Sequence, residues 1–101
     1  GLDYSNSAVI RCGGIRAGDI VYMADNTVGK VMDFWMASEM VVRVSMMAPT
    51  AYGLHRWRVV EEPDTKFVST GEILDTVMWT HVGDSDIRIA LPFRVVLPSL
   101  L

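Results

Sequence analysis

The sequence predicts an all-β fold of short antiparallel strands, and three observations support this class. Apolar and polar residues alternate in short runs. Gly, Pro, Asn and Asp repeatedly bound these runs, as turns between strands require. Helical periodicity is nearly absent, and the frequent Val, Ile and Thr residues pack better on a pleated sheet than in a helix. A length of 101 residues corresponds to one small domain over 1–101, which can bury roughly two thirds of its unfolded surface.

Eight strands follow from this alternation. They span residues 8–12, 19–23, 28–35, 40–47, 55–61, 66–68, 76–82 and 87–91. Asp25-Asn26 supplies residues that tolerate positive φ, so 19–35 is predicted as a hairpin. Gly83-Asp84-Ser85-Asp86 predicts a second hairpin over 76–91.

Three other segments have a predicted role. Residues 48–53 form a loop long enough to bind a partner. Only 70–75 is expected to be helical, for one or two turns at most, with Thr70 as its N-cap. The apolar tail 92–101 is expected to dock on the body of the domain or on a partner chain.

Side-chain alternation predicts which strand faces are buried. In 40–47 one face is expected in the core and the other partly wet; the two sets are Val42, Val44 and Met46, and Val41, Arg43 and Ser45. Strand 76–82 is apolar on both faces, which predicts a central strand of a small closed barrel with an outer layer. Neighbours in a strand point to opposite faces, so Phe34 or Trp35 should be exposed or covered by another segment.

The composition argues against several classes of protein. The single Cys12 cannot form a disulfide within the chain, so a disulfide scaffold is excluded. A hydrophobic fraction of 50% argues against disorder. No apolar run approaches the roughly 20 residues of a membrane span, and the residues after Gly1 lack the order of a secretory signal. We therefore expect a soluble, intracellular domain without a membrane partner.

One hairpin carries a resemblance to a known family. Gly18-Asp19-Ile20-Val21-Tyr22-Met23 is followed, after a turn, by Val28-Gly29-Lys30-Val31-Met32-Asp33-Phe34-Trp35. These segments resemble the opening hairpin of BAH-like and related SH3-like domains of chromatin-associated proteins, where a Gly-Asp-x-Val-aromatic strand precedes a strand ending in an aromatic pair. KOW, Tudor and PWWP modules share much of this hairpin, so the resemblance indicates the fold class more strongly than it indicates one family.

The resemblance implies a small SH3-like (BAH-like) antiparallel barrel. Val42-Arg43-Val44 looks like its third strand. The polar turn at Glu72 and the segment Val77-Met78-Trp79 look like its closing region, in which a strand returns to the first. Gly29 is expected to relieve crowding where the barrel curls. The resemblance also implies a nuclear, chromatin-associated parent protein; a similar segment in some transposase-derived proteins gives a second possible origin.

Aromatic rings and acids in these strands are candidates for binding a partner. A cage for a methylated Lys needs two or three rings around the ammonium and a carboxylate nearby. The candidate partner-binding residues are Tyr22, Asp33, Trp35, Glu39, Tyr52 and Trp57. The alternative is that these rings belong to the core, because a Trp at a strand end packs the mouth of a barrel more often than it binds a ligand.

Charge is distributed unevenly along the chain, whose formal net charge is -3. The candidate nucleic-acid-binding residues are Lys30, Arg43, Arg56 and Arg58, the last two within the basic and aromatic run His55-Arg56-Trp57-Arg58. Residues 61–86 hold seven acids against one base, Lys66, a local net of -6. Such a segment repels phosphate and suits a basic partner, for example a Lys- or Arg-rich peptide such as a histone tail.

No motif with defined catalytic mechanics is present. Besides carboxylates, the candidate nucleophile or bases are Cys12, His55 and His81, and His81 is expected to be packed in its strand beside Trp79. Neither paired metal ligands at short spacing nor a Gly-rich loop opening a helix is found, so no metal or cofactor is expected. Four methionines either fill core gaps or form an adaptable apolar surface for a protein partner; they are Met36, Met40, Met46 and Met47.

These observations favour a non-catalytic protein-interaction module that binds a basic peptide or a partner protein in a nuclear or chromatin context. The alternative is a nucleic-acid-binding accessory barrel.

Overall fold

A computed structural model describes residues 3–5, 7–10, 13–51 and 53–90 of the chain. Within them the chain forms twelve strands and one 3-10 turn. The strands are β1 (Asp3–Ser5), β2 (Ser7–Ile10), β3 (Gly13–Arg16), β4 (Ile20–Met23), β5 (Val28–Met36), β6 (Met40–Met46), β7 (Ala48–Thr50), β8 (Gly53–Arg58), β9 (Thr65–Ser69), β10 (Ile73–Thr76), β11 (Trp79–Val82) and β12 (Asp86–Ile89). The 3-10 turn is Thr70–Glu72. The all-β class with one short helical turn is confirmed.

The larger of two main sheets has six antiparallel strands: five follow the order β10-β4-β5-β6-β9, and β1 pairs with β5. We refer to it as the large sheet. The predicted hairpin is present as β4 and β5, and Asn26 in its turn has a φ of 65°. The long strand β5 pairs with β4 through its first half and with β1 through its second half. A bulge at Met32 separates the two halves and bends the strand.

A 3-10 turn returns the chain to the start of the large sheet. Ser69 is its N-cap, and the carboxylate of Glu72 accepts a hydrogen bond from the Ser69 backbone N–H at 2.8 Å. The strand that follows, β10, pairs with β4, the first strand of the hairpin. The closing strand predicted by the resemblance therefore exists, but it is Ile73–Thr76 rather than Val77-Met78-Trp79. The predicted helical segment 70–75 shrinks to Thr70–Glu72 because β10 takes up its second half.

The second main sheet, here the small sheet, has the order β11-β12-β8-β7. The predicted second hairpin is present as β11 and β12, with Gly83 at a φ of 75° in its turn. The prediction of a central strand at 76–82 is wrong. The predicted strand is interrupted at Val77 and Met78, and β11 forms an edge of the small sheet on which Trp79 is 42% exposed.

Strand β4 separates two hydrophobic cores, because all four of its residues are buried. The first core includes Ile15, Val21, Met23, Val31, Phe34, Val42, Val44, Val68 and Ile73. The second core includes Ile20, Tyr22, Val28, Met47, Trp57, Val77, Ile87 and Ile89, and it joins the large sheet to the small one. Alternate residues of β4 therefore face different cores.

The predicted barrel is not closed by hydrogen bonds. Strands β9 and β10 stand at opposite edges of the large sheet and do not pair with each other in the described part of the chain. Val68 of β9 and Ile73 of β10 nevertheless share the first core, so the sheet curls around that core. The curl is possible because Gly29 of β5 has no side chain that would clash with Val44 on the neighbouring strand β6.

Several short strands escape prediction from the sequence. One of them is β3, which begins with Gly13 and Gly14 and pairs with β2. The predicted loop 48–53 contains β7, which pairs with β8. Over the described residues, no helix has the length and apolar character needed to cross a membrane.

Replacing Gly29 with Ala tests the crowding at the curl of the large sheet. A Cβ atom there would overlap the Val44 Cγ1 methyl and lie 3.0 Å from the Ser45 carbonyl oxygen. We expect Gly29→Ala to lower the free energy of unfolding by about 1–3 kcal/mol, measured by urea denaturation. The control is Gly71→Ala, where the nearest atom is the Ser69 Oγ at 3.9 Å, and it should leave stability unchanged or slightly higher. Equal stability of the two variants would contradict the crowding argument.

Candidate functional site

A groove of about 120 Å³ opens between the two main sheets. Ile20, Lys30, Ser45, Met46 and Met47 line it from the large sheet and the residue that follows β6. Trp79, His81 and Ile87 line it from the small sheet, and Val59, Val60 and Pro63 line it from the loop between β8 and β9. We call this site the inter-sheet groove.

The alternation of side chains along the strands of the small sheet determines which of them face the inter-sheet groove. Trp79 and His81 are two residues apart on β11 and therefore share a face. Their rings contact each other edge to face, with centroids 5.0 Å apart and planes at 85°. His81 lies directly opposite Ile87 on β12, whose side chain is buried in the second core. The prediction that His81 is packed in its strand is wrong, because β11 is an edge strand and His81 is exposed.

Charged groups of both signs surround the apolar walls of the groove. Lys30 contributes an exposed ammonium group, which makes no ion pair with another described residue. The loop that carries the lining residues Val59, Val60 and Pro63 also carries three exposed acids, Glu61, Glu62 and Asp64. The elements that form the groove thus carry these three acids together with the Lys30 cation.

Among the described residues, the candidate aromatic cage is not assembled. Tyr22 is 0% exposed and Trp57 is 2% exposed, and both belong to the second core. The Tyr22 hydroxyl donates a hydrogen bond to the Asn26 Oδ1 at 3.1 Å, which satisfies the phenol inside the hairpin. Buried rings cannot surround a ligand from solvent, so Tyr22 and Trp57 are structural residues. Tyr52 lies outside the described residues, and Glu39 is exposed after the end of β5.

Trp35 and Asp33 form a different constellation from the predicted cage. The Trp35 Nε1 donates to the Asp33 Oδ1 at 2.6 Å, and the Arg43 Nε donates to the same oxygen at 3.0 Å. An Arg43 Nη2 contact to the Asp33 Oδ2 completes a bidentate ion pair. Phe34 is buried in the first core while Trp35 is only half-buried, as the alternation of the two rings predicted. Asp33 is thus engaged by Arg43 and Trp35.

The four candidate nucleic-acid residues do not form one patch. Arg43 belongs to the large sheet and binds Asp33, and Lys30 lines the inter-sheet groove. Arg56 and Arg58 belong to the small sheet and converge on Asp86: their Nε atoms lie 3.1 Å and 2.9 Å from its two carboxylate oxygens. Sequence reasoning assigned Asp86 to a hairpin turn and missed this role, although an acid opposite two arginines is a signal for such pairing.

Both buried carboxylates stay ionised for identifiable reasons. Burial is the largest influence on Asp33 and opposes its ionisation, but hydrogen bonds from Arg43 and Trp35 and the charge of Arg43 outweigh it and lower its pKa. The hydrogen bond from Arg58 is the largest influence on Asp86 and lowers its pKa against the effect of burial, with Arg56 adding its charge. Each acid therefore acts as a fixed counterion for arginine.

The candidate catalytic residues are not gathered into a site. Cys12 lies outside the described residues, and His55 and His81 are both exposed on different strands of the small sheet. Among the described side chains, no group of three or more His, Cys, Asp or Glu residues is arranged to hold a metal ion.

Comparisons of the chain with protein-family models, with curated proteins and with solved structures find no match.

The two buried acids predict a specific loss of stability in acid. A carboxyl group whose pKa is lowered by folding stabilises the native state above its unfolded pKa, and this contribution is lost as the pH falls toward the folded value. We expect the free energy of unfolding to decline as the pH falls below about 4, and Asp33→Asn to make this decline shallower. Urea unfolding at a series of pH values measures both slopes.

The control for this experiment is Asp84→Asn, which alters an exposed acid in the turn between β11 and β12. Its pH dependence should match that of the unmodified protein. If Asp33→Asn also matches, the buried ion pair does not supply the acid sensitivity.

Proposed function

We propose that this domain is a non-catalytic interaction module that binds a basic segment of a partner protein in the inter-sheet groove. The supporting observation is an apolar groove with one wall formed by a loop that also carries three exposed acids. An apolar anchor in a pocket surrounded by charged groups is how protein interfaces commonly combine affinity with specificity. The site differs from the cage suggested by the sequence, but the expected class of partner is the same.

The size of the groove favours a single side chain over a whole small molecule. Its volume of about 120 Å³ is below the roughly 300 Å³ at which typical small-molecule pockets begin. Its walls include the half-buried Met46 and the nearly buried Met47, whose unbranched side chains adjust to different shapes. One bulky apolar side chain of a peptide, such as Leu, Met or Phe, would therefore enter the groove.

The rim charges favour Lys or Arg next to that anchor. Glu61, Glu62 and Asp64 lie on the loop that forms one wall, and the described residues include no ion-pair partner for any of them. Complementary charges raise the rate of encounter and disfavour acidic partners more than they add affinity. Lys30 on the opposite wall is a hydrogen-bond donor, which suits a backbone carbonyl of the bound peptide.

The cellular context of this proposal rests on the hairpin resemblance alone. A BAH-like or related SH3-like module of a nuclear, chromatin-associated protein would meet basic histone tails. Histone-tail peptides, unmodified and methylated, are therefore the first probes. Among the described lining residues Trp79 is the one Trp, Tyr or Phe, so the proposal does not require methylation of the bound Lys.

Replacing Trp79 tests the groove as the binding site. We expect basic peptides that contain one bulky apolar residue to change the tryptophan fluorescence, and Trp79→Ala to weaken their binding roughly tenfold or more by calorimetry. Trp79 is 42% exposed on an edge strand, so its loss should leave the fold intact. The matched control is Met78→Ala, which removes a neighbouring side chain that is 82% exposed and does not line the groove. Equal weakening by both variants, or no binding by the unmodified protein, would refute the proposal.

Charge reversal tests the preference for a basic partner. The double variant Glu61→Lys and Glu62→Lys should weaken basic peptides several-fold and reduce the dependence of their affinity on salt. The control is Glu39→Lys, which changes an exposed acid that does not belong to the groove or its loop. A partner that binds the double variant more tightly would show that the rim selects acidic segments instead.

A further inference from the structure

The outer face of the small sheet carries a second charged surface, separate from the inter-sheet groove. Arg56 and Arg58 are two residues apart on β8, so they share one face of the sheet. Arg88 on β12 lies directly opposite Arg56, and Asp86 lies directly opposite Arg58. The opposite face of β12 is apolar, because Ile87 and Ile89 enter the second core. We call Arg56, Arg58 and Arg88 the arginine face.

Arg88 is the arginine of this face that Asp86 does not contact. Asp86 instead pairs with Arg56 and Arg58. The Asp86 carboxylate contacts the Nε atoms of Arg56 and Arg58. The Arg88 side chain is exposed and makes no ion pair or hydrogen bond with another described residue. Like charges directly opposite each other in a sheet repel, so the register of Arg88 against Arg56 favours an anion bound beside Arg88.

The neighbourhood of Arg88 indicates what kind of anion fits. Thr80 lies directly opposite Arg88 on β11, so its hydroxyl is on the same face of the sheet as the Arg88 side chain. A shallow depression of about 280 Å³ adjoins both residues and is also lined by the exposed side chains of Met78 and Trp79. Donors for a phosphate thus lie next to apolar side chains against which a flat ring could pack.

We propose that the arginine face binds the phosphate backbone of single-stranded nucleic acid, with a base lying in the depression beside Arg88. Guanidinium groups match phosphate oxygens in two-point contacts. Unpaired strands combine backbone contacts to basic side chains with stacking of their bases on apolar or aromatic side chains. The major groove of a DNA duplex admits a helix or a two-stranded ribbon, so a four-stranded sheet face suits a splayed single strand better.

The acidic groove and the arginine face use opposite sides of the small sheet. On β12, Ile87 lines the groove while Arg88 and Asp86 point to the other side, because successive side chains alternate. The two surfaces therefore present opposite charge to different partners. The overall charge of -3 does not prevent phosphate binding at the arginine face, because acids beyond about 10 Å are largely screened at physiological salt.

The test uses a fluorescein-labelled oligothymidine of roughly twelve nucleotides, a length within the range bound by single small domains. Fluorescence anisotropy is measured on the full chain across a series of salt concentrations. The unmodified protein should bind at low salt, with log affinity falling linearly against log salt. Arg88→Ala should weaken binding roughly tenfold and reduce that slope by about 0.7, the value for one phosphate contact on a single strand. Arg88→Lys should recover the slope but only part of the affinity.

The matched control is Arg16→Ala, which removes an equal charge from an exposed position on β3, outside the small sheet. It should leave the affinity within about twofold of the unmodified protein. Equal losses for Arg16→Ala and Arg88→Ala would overturn the proposal, since they would indicate charge attraction without a site. Tighter binding of duplex DNA or of polyglutamate than of oligothymidine would overturn it as well. Peptide binding in the groove should survive Arg88→Ala, so the two proposals can fail independently.

Discussion

The burial of β4 on both faces is the constraint on which the rest of the structure depends. Val21 and Met23 fill the core that the large sheet curls around, while Ile20 and Tyr22 fill the core between the two sheets. A strand of this kind cannot stand at the surface, so the large sheet needs a second layer over β4. The small sheet supplies that layer through Trp57, Ile87 and Ile89. The inter-sheet groove lies where the two layers separate beside Ile20.

Two buried carboxylates organise the charge of the molecule. Asp33 on the large sheet binds Arg43, and Asp86 on the small sheet binds Arg56 and Arg58. Breaking a buried pair leaves one unpaired charge in a poorly solvated position, so these acids select the observed strand registers against slipped ones. They also make the surface of the molecule less acidic than its sequence suggests. The net of -6 over 61–86 includes Asp86, which serves as an internal counterion rather than as acidic surface.

The proposed binding surfaces both depend on the alternation of side chains in the small sheet. One face of β11 and β12 presents Trp79, His81 and Ile87 to the groove, and the other presents Thr80 and Arg88. The edge position of β11 leaves Trp79 partly exposed, which makes an aromatic ring available at the boundary between the two surfaces. A small domain can in this way carry an acidic and a basic surface without a second core.

The sequence by itself determined the all-β class and the two hairpins, because alternation and turn chemistry are local: Asp25-Asn26 and Gly83 act through their own φ and ψ angles. It also predicted the opposite faces of Phe34 and Trp35. Only the tertiary structure decided that Tyr22 and Trp57 are core and that Trp79 is available to a partner. An apolar residue alternates with its neighbours in the same way whether its strand lies in the centre of a sheet or at its edge. Its exposure depends on strand pairing between segments distant in the chain, which composition and periodicity do not encode.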